Sequence, residues 1–398
     1  MKIFICFNII IILLISMTAL ITEKGFDIIL NNEKSTIDGH LITTIPIFGV
    51  SYINKILSIT QRGIYVLSGK LDGQIRINTN ETVILVLYEA FIYSPYSTAI
   101  VFENAYEFDN SVFDYEEAKL FDISHAGAQI IISDGTENII KSDKKGEIDG
   151  AVIHTSVSLL ISGETKGDGI LNIISKRKGI ETEKHLFING GKIRISAEDD
   201  AIKTKPSNDC MVIIRGGKIL INSGLGNHGE EINSGGYVLL DGGEIISASN
   251  PNSIGREESK ETIVNGGSVF SLGSFMNKIS SLSVQPSMKL IFDSEIDSSK
   301  MITIKDSDGY ELISYCANSA DFISGKRRSY IIAFVSSPWF KLKGVYHLFL
   351  NEVQLGYTGN GEEQDLGDTN ILGSSEVIKT DFILNSFTTN FFGIKKAY

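Results

Sequence analysis

Asn189-Gly190-Gly191-Lys192-Ile193-Arg194-Ile195 is answered 26 residues later by Arg215-Gly216-Gly217-Lys218-Ile219-Leu220-Ile221. Asp241-Gly242-Gly243-Glu244-Ile245-Ile246 and Asn265-Gly266-Gly267-Ser268-Val269-Phe270 continue the series, and Gly167-Asp168-Gly169-Ile170-Leu171-Asn172-Ile173 opens it. The second glycines fall at 169, 191, 217, 243 and 267, so the steps are 22, 26, 26 and 24 residues. A short apolar strand precedes three of these glycine pairs: Leu186-Phe187-Ile188, Val212-Ile213-Ile214 and Val238-Leu239-Leu240. A third apolar point follows, at Gly179-Ile180, Ala201-Ile202 and Ile232. Three short strands per repeat, with glycine at a corner, predict a parallel β-helix in which inward Ile, Val and Leu stack in ladders. An antiparallel sandwich needs longer strands and no such period. A leucine-rich repeat needs an L-x-x-L-x-L frame that is absent.

Outward from this core the pattern loosens. Gly63-Ile64-Tyr65-Val66-Leu67-Ser68-Gly69, Val83-Ile84-Leu85-Val86-Leu87 and Gln129-Ile130-Ile131-Ile132-Ser133 read as earlier coils. Past residue 280 the glycine pairs stop, and segments such as Met288-Lys289-Leu290-Ile291-Phe292 predict a small β-module that covers the last coil. The expected organisation is a signal peptide over 1–22, a lead-in over 23–59, the β-helix over 60–280, the module over 281–358 and an acidic tail over 359–398.

The opening Met1-Lys2 and the apolar run over 3–21 have the charge and length of a secretory signal. A run of about 20 apolar residues also has the length of an uncleaved membrane anchor. The expectation is therefore a secreted or cell-surface protein, with membrane attachment only in the anchor case. Of three cysteines one lies in the signal; Cys210 and Cys316 are far apart in sequence, and both a disulfide and two buried thiols are open. Lys and Arg number 36 against 48 Asp and Glu, a net charge of −12. Without a basic stripe to neutralise phosphates, nucleic acid is excluded as a partner.

The ordered set of motifs carries a resemblance. Gly63-Ile64-Tyr65-Val66-Leu67-Ser68-Gly69, Asp72-Gly73-Gln74-Ile75, Asp134-Gly135-Thr136-Glu137-Asn138, the Gly-Gly repeats and Ile304-Lys305-Asp306-Ser307-Asp308-Gly309 together resemble the Cthe_2159-type carbohydrate-binding domain family. The resemblance runs from about residue 60 to 350. It implies a right-handed β-helix like that of pectate lyases, calcium sites, and binding of cellulose or an acidic polysaccharide without established catalysis. The chain departs from the family's repeated Asp-Gly-Ile corner. It reads Lys178-Gly179-Ile180, Asp200-Ala201-Ile202 and Glu230-Glu231-Ile232, with a looser copy at Asp149-Gly150-Ala151-Val152.

Those corners supply the candidate metal ligands: Asp199, Asp200, Glu230 and Glu231, with Asn227 nearby. Adjacent parallel strands lie about 4.8 Å apart, so stacked corners can share an ion that takes six to eight oxygens at about 2.3–2.6 Å. The competing reading is a ladder of ion pairs, with Arg177 and Lys178 beneath Asp199 and Asp200. A calcium-dependent lyase or hydrolase is the alternative function, with Arg194, Lys203, Lys205 and Arg215 as suspects for a base; a purely structural wall protein is another. No catalytic residue is assigned. The six histidines form no triad or metal spacing. Tyr93, Tyr96, Tyr106, Phe108, Phe113 and Tyr115 read as an aromatic loop, and Trp339 is the single tryptophan; either offers a surface on which sugar C–H faces stack.

Overall fold

The computed structural model describes residues 25–107, 123–143, 150–205, 210–225, 229–249, 261–273, 279–297, 299–316, 329–361 and 379–396. The expected signal peptide, Asn227, Phe108, Phe113, Tyr115 and much of the expected tail lie outside them. The described chain is all-β: 29 strands and one short 3-10 turn, Ile123–His125.

Two sheets organise the strands. The shorter one has eight. From Ile56–Ile59 through Gln74–Asn78, Ile100–Asn104, Ala151–Thr155, Lys178–Thr182 and Ile202–Thr204 to Ile232–Asn233 every neighbour is parallel. Its register aligns Leu57, Ile75, Ile100, Ile153, Ile180, Ile202 and Ile232 in one row. All seven are buried. The longer strands carry two ladders each. Leu186–Ala197 pairs through its first residues with Leu159–Gly163 and through its last with Ile170–Ser175. Val212–Asn222, Val238–Ala248 and Thr262–Leu272 then follow in parallel.

Leu171, Ile193, Ile219, Ile245 and Val269 stand opposite one another along these strands and are buried. The strand alternation that sends every second side chain inward therefore recurs in phase from repeat to repeat. Each fully buried aliphatic contributes about 1.5–3 kcal/mol, so the row is a principal stabilising element.

The glycine pairs mark where each long strand bends between its two ladders. Gly217 and Gly243 have φ of 89° and 82°, a left-handed conformation that side chains disfavour. They also sit against each other's backbone: a Cβ on Gly243 would lie 2.9 Å from the carbonyl oxygen of Gly217, and one on Gly217 lies 2.8 Å from that of Gly191. The repeat is thus selected twice, by φ and by close approach. The motif Asp134-Gly135-Thr136-Glu137-Asn138 has a structural duty of its own. Asn138 is fully buried; its Oδ1 accepts from the Ala90 N–H at 2.9 Å, and its amide donates to Thr136 Oγ1 and to the Ile170 carbonyl.

Past residue 286 pairing becomes largely antiparallel, around a second core that includes Met288, Leu290, Ile302, Ile304, Tyr346 and Phe392. Ser329–Ser336 runs antiparallel to Thr262–Leu272 and covers it. Residues beyond 358, read as an acidic tail, include Phe382–Ile383 and Thr389–Lys396. The latter pairs in parallel with Ser287–Asp297, because Phe392 and Ile394 alternate into the module core. Cys210 is buried, its Sγ–H donating to the Glu183 carbonyl at 3.3 Å.

Candidate functional site

The acidic corner forms between Ile202–Thr204 and Ile232–Asn233. Ile202 stands opposite Ile232, and the Ala201 N–H donates to the Glu230 carbonyl at 2.9 Å. Asp200 therefore stacks on Glu230, as expected. The side chains then part. Asp200 is buried; its Oδ1 accepts from the Glu230 N–H at 2.9 Å and its Oδ2 from Asn233 Nδ2 at 3.1 Å, with Lys203 Nζ at 3.7 Å. Burial pushes its carboxyl up despite these donors. Asp199 faces Arg177 at 4.0 Å, and Glu198 pairs with Lys176 at 2.7 Å. Glu231 turns the other way, into the interior. The corner is thus in good part the ion-pair ladder: Lys178 stands beneath Asp200 by register, but its side chain pairs with Glu181. Among the described residues no three His, Cys, Asp or Glu converge as a metal group.

The outer face of the shorter sheet continues this network. His154, Glu181, Lys203 and Asn233 stand in one row. Lys178 Nζ lies 2.5 Å from Glu181 Oε1, and His154 lies 3.7 Å from Glu181 and 3.8 Å from Glu183. Burial raises the Glu181 carboxyl, but His154 and Lys178 outweigh it and hold it at about 2. Lys205 pairs with Glu183 at 3.6 Å. The four basic suspects are not brought together: Lys203 and Lys205 lie by the shorter sheet, Arg194 and Arg215 on long strands, with Arg215 3.8 Å from Asp241.

A third region combines aromatic and charged groups on Gly63–Asp72, Val83–Ser94 and Glu137–Ser142. The register puts Lys70, Phe91 and Ile139 in one row and Asp72, Tyr93 and Lys141 in the next. Lys70 Nζ lies 5.2 Å from the Phe91 ring centroid and Lys141 Nζ 5.1 Å from that of Tyr93, both in cation–π range. The Tyr93 hydroxyl donates to Asp143 Oδ2 at 2.7 Å, a bond that pushes Tyr93 up, and Lys141 pairs with Asp143 at 3.4 Å. Tyr96 stands 88 % exposed on the adjoining turn, which the Ser142 hydroxyl pins through the Ser97 carbonyl at 2.8 Å. Tyr93 is therefore a strand residue and not part of a loop. Phe91 was passed over in the sequence, although Phe91-Ile92-Tyr93 alternates as an outward pair must; the flanking Lys70-Leu71-Asp72 and Lys141-Ser142-Asp143 become its neighbours only through register. Trp339, 67 % exposed, lies in the C-terminal module instead.

The chain belongs to the carbohydrate-binding domain-containing protein family, whose description matches residues 54–307. That span contains all three regions, and it is the kind of family that the motifs resemble. No curated protein matches. Among solved structures, the chain is similar to the polysaccharide lyase-like protein from C. thermocellum in its gadolinium derivative. The identity is 22 %, the TM-score 0.46, and the match covers 63 % of this chain and 92 % of that one.

Proposed function

We propose that the protein is a secreted or cell-surface polysaccharide-binding protein whose parallel ladders wind as a right-handed β-helix and present the Phe91–Tyr93 face to the glycan. The observation that supports this most is the in-register Asp72–Tyr93–Lys141 row beside Lys70 and Phe91. Two rings offer apolar faces to sugar C–H groups, while two lysines and two aspartates offer hydroxyl-binding partners; sites for polar organic ligands combine the two in this way. With a net charge of −12, the chain repels a polyuronate over most of its surface. On this face Lys70 and Lys141 balance Asp72 and Asp143, so it repels a polyuronate less than the acidic surface around it.

The test is retention of the full chain on insoluble cellulose and on immobilised polygalacturonate, each with calcium or a chelator. Retention on either, without release of unsaturated sugar, supports binding; passage through both rejects it, and release of unsaturated product favours the lyase reading. The calcium expectation is an arm of the same experiment. It concerns Asp199, Asp200, Glu230, Glu231 and Asn227, and is weighed against the ion pairs that Arg177 and Lys203 make with Asp199 and Asp200.

A further inference from the structure

The interior loses its apolar character at one place. Along one inward row Ile173, Ile195 and Ile221 are succeeded by Ser247 and Ser271. The corner facing this row changes in the opposite sense. Gly179 and Ala201, each one residue before the aligned Ile180 and Ile202, are succeeded by Glu231 before Ile232. Gly179 shows that this position faces the isoleucines: a Cβ added there would lie 2.5 Å from Ile195 Cγ2. Where the row shrinks from isoleucine to serine, the corner grows from glycine or alanine to glutamate. The exchange conserves volume but converts a dry contact into a polar one.

The resulting pocket is built and incompletely satisfied. Glu231 is 1 % exposed. Its Oε1 accepts from the Ser271 hydroxyl at 3.1 Å, whereas its Oε2 has no hydrogen-bond partner among the described residues. Ser247, stacked on Ser271, is fully buried with its hydroxyl also unpartnered, and Ser249 lies beside the same carboxyl. Among the described residues no cationic side chain is bonded to Glu231, and the charge that acts on it is that of Glu230, its chain neighbour. A buried carboxylate without a counter-charge is costly, and it recruits either a proton or a cation.

We propose that this pocket is a monovalent-cation site in which the Glu231 carboxylate and the hydroxyls of Ser247, Ser249 and Ser271 are the ligands. The donors are all oxygen, the choice of hard cations. One carboxylate cancels one positive charge, so sodium or potassium leaves the pocket neutral, whereas a divalent ion leaves an excess charge among neutral hydroxyls. Without the ion a proton on the buried Glu231 carboxyl takes its place. Cation and proton therefore compete, and the cation wins as pH rises. The pocket differs from the acidic corner in its ligands and in facing inward.

The test is thermal unfolding of the full chain above pH 8 in sodium, potassium or choline chloride at equal ionic strength. A ligand that binds only the folded state raises Tm as its concentration increases. The expected result is a higher Tm in sodium or potassium than in choline, with the difference shrinking in acid, lost in Glu231→Gln and reduced in Ser271→Ala. Glu231→Gln conserves shape and removes the charge; should it not fold, Ser271→Ala and Ser247→Ala give the reading. Equal melting in sodium, potassium and choline overturns the proposal, as does a difference that survives in these variants. Stabilisation by calcium chloride alone overturns the monovalent assignment.

Discussion

Glu181, on the outer face of the shorter sheet, and Glu231, just before that sheet's last strand, are both glutamates, yet their surroundings drive them in opposite directions. Glu181 is held at about 2 against an ordinary 4.5, so its contribution to stability is present above pH 4.5 and is lost as pH falls toward 2. Lys178→Met leaves Glu181 without its nearest cation and is expected to cost roughly 3–5 kcal/mol at neutral pH, as a single break in a buried pair does; the urea midpoint reads it. An unchanged midpoint refutes the claim that the pair is coupled. Glu231 behaves inversely. In choline buffer its raised value makes stability fall from about pH 4.5 to about 8, because the unfolded chain gives up this proton first. In Glu231→Gln that slope is expected to disappear from a series of denaturation curves. The sequence shows Asp199, Asp200, Glu230 and Glu231 as equivalent acids. Which faces outward is a matter of strand parity, and a single residue separates Glu230 at the corner from Glu231 inside.

At the scale of the element, the stacking of the glycine-bearing strands was legible. Gly-Gly spacing and flanking apolar triplets predict that Ile193, Ile219 and Ile245 stack, and the register aligns them. Two substitutions test why. Ile219→Ala removes buried methyl groups and is expected to cost about 2–5 kcal/mol, whereas Ile219→Asp puts an unpaired charge in the row and is expected to prevent folding. Gly217→Ala meets the Gly191 carbonyl and a left-handed φ, with an expected cost of at least about 1–3 kcal/mol. Thermal denaturation followed by circular dichroism ranks all three; a Gly217→Ala protein as stable as wild type contradicts the close-approach argument. The Phe91–Tyr93 face was less legible. Its partners come from strands about 20 to 50 residues away, and only the register of parallel neighbours places Lys141 beside Tyr93.

For the whole molecule, the antiparallel module closes the end of the parallel ladders. Ile246, Ala248, Phe270 and Leu272 bury against it. Ending the chain at residue 286 is expected to expose this row and an unpaired strand edge, giving aggregation visible by sedimentation; a soluble monomer contradicts the capping role. The later strands were missed in the sequence because Phe382–Ile383 and Thr389–Lys396 follow a long acidic stretch, and the latter's pairing with Ser287–Asp297 spans about 100 residues. The central claim concerns the face presented by the ladders: that Phe91 and Tyr93 bind glycan. It is tested most directly by calorimetric titration of the wild type and of Phe91→Ala with Tyr93→Ala, using whichever polysaccharide retains the wild type. These surface truncations leave the buried ladders intact, so an unchanged melting temperature with binding weakened tenfold or more, about 1.4 kcal/mol, is the predicted result. Equal affinity in the two proteins contradicts it.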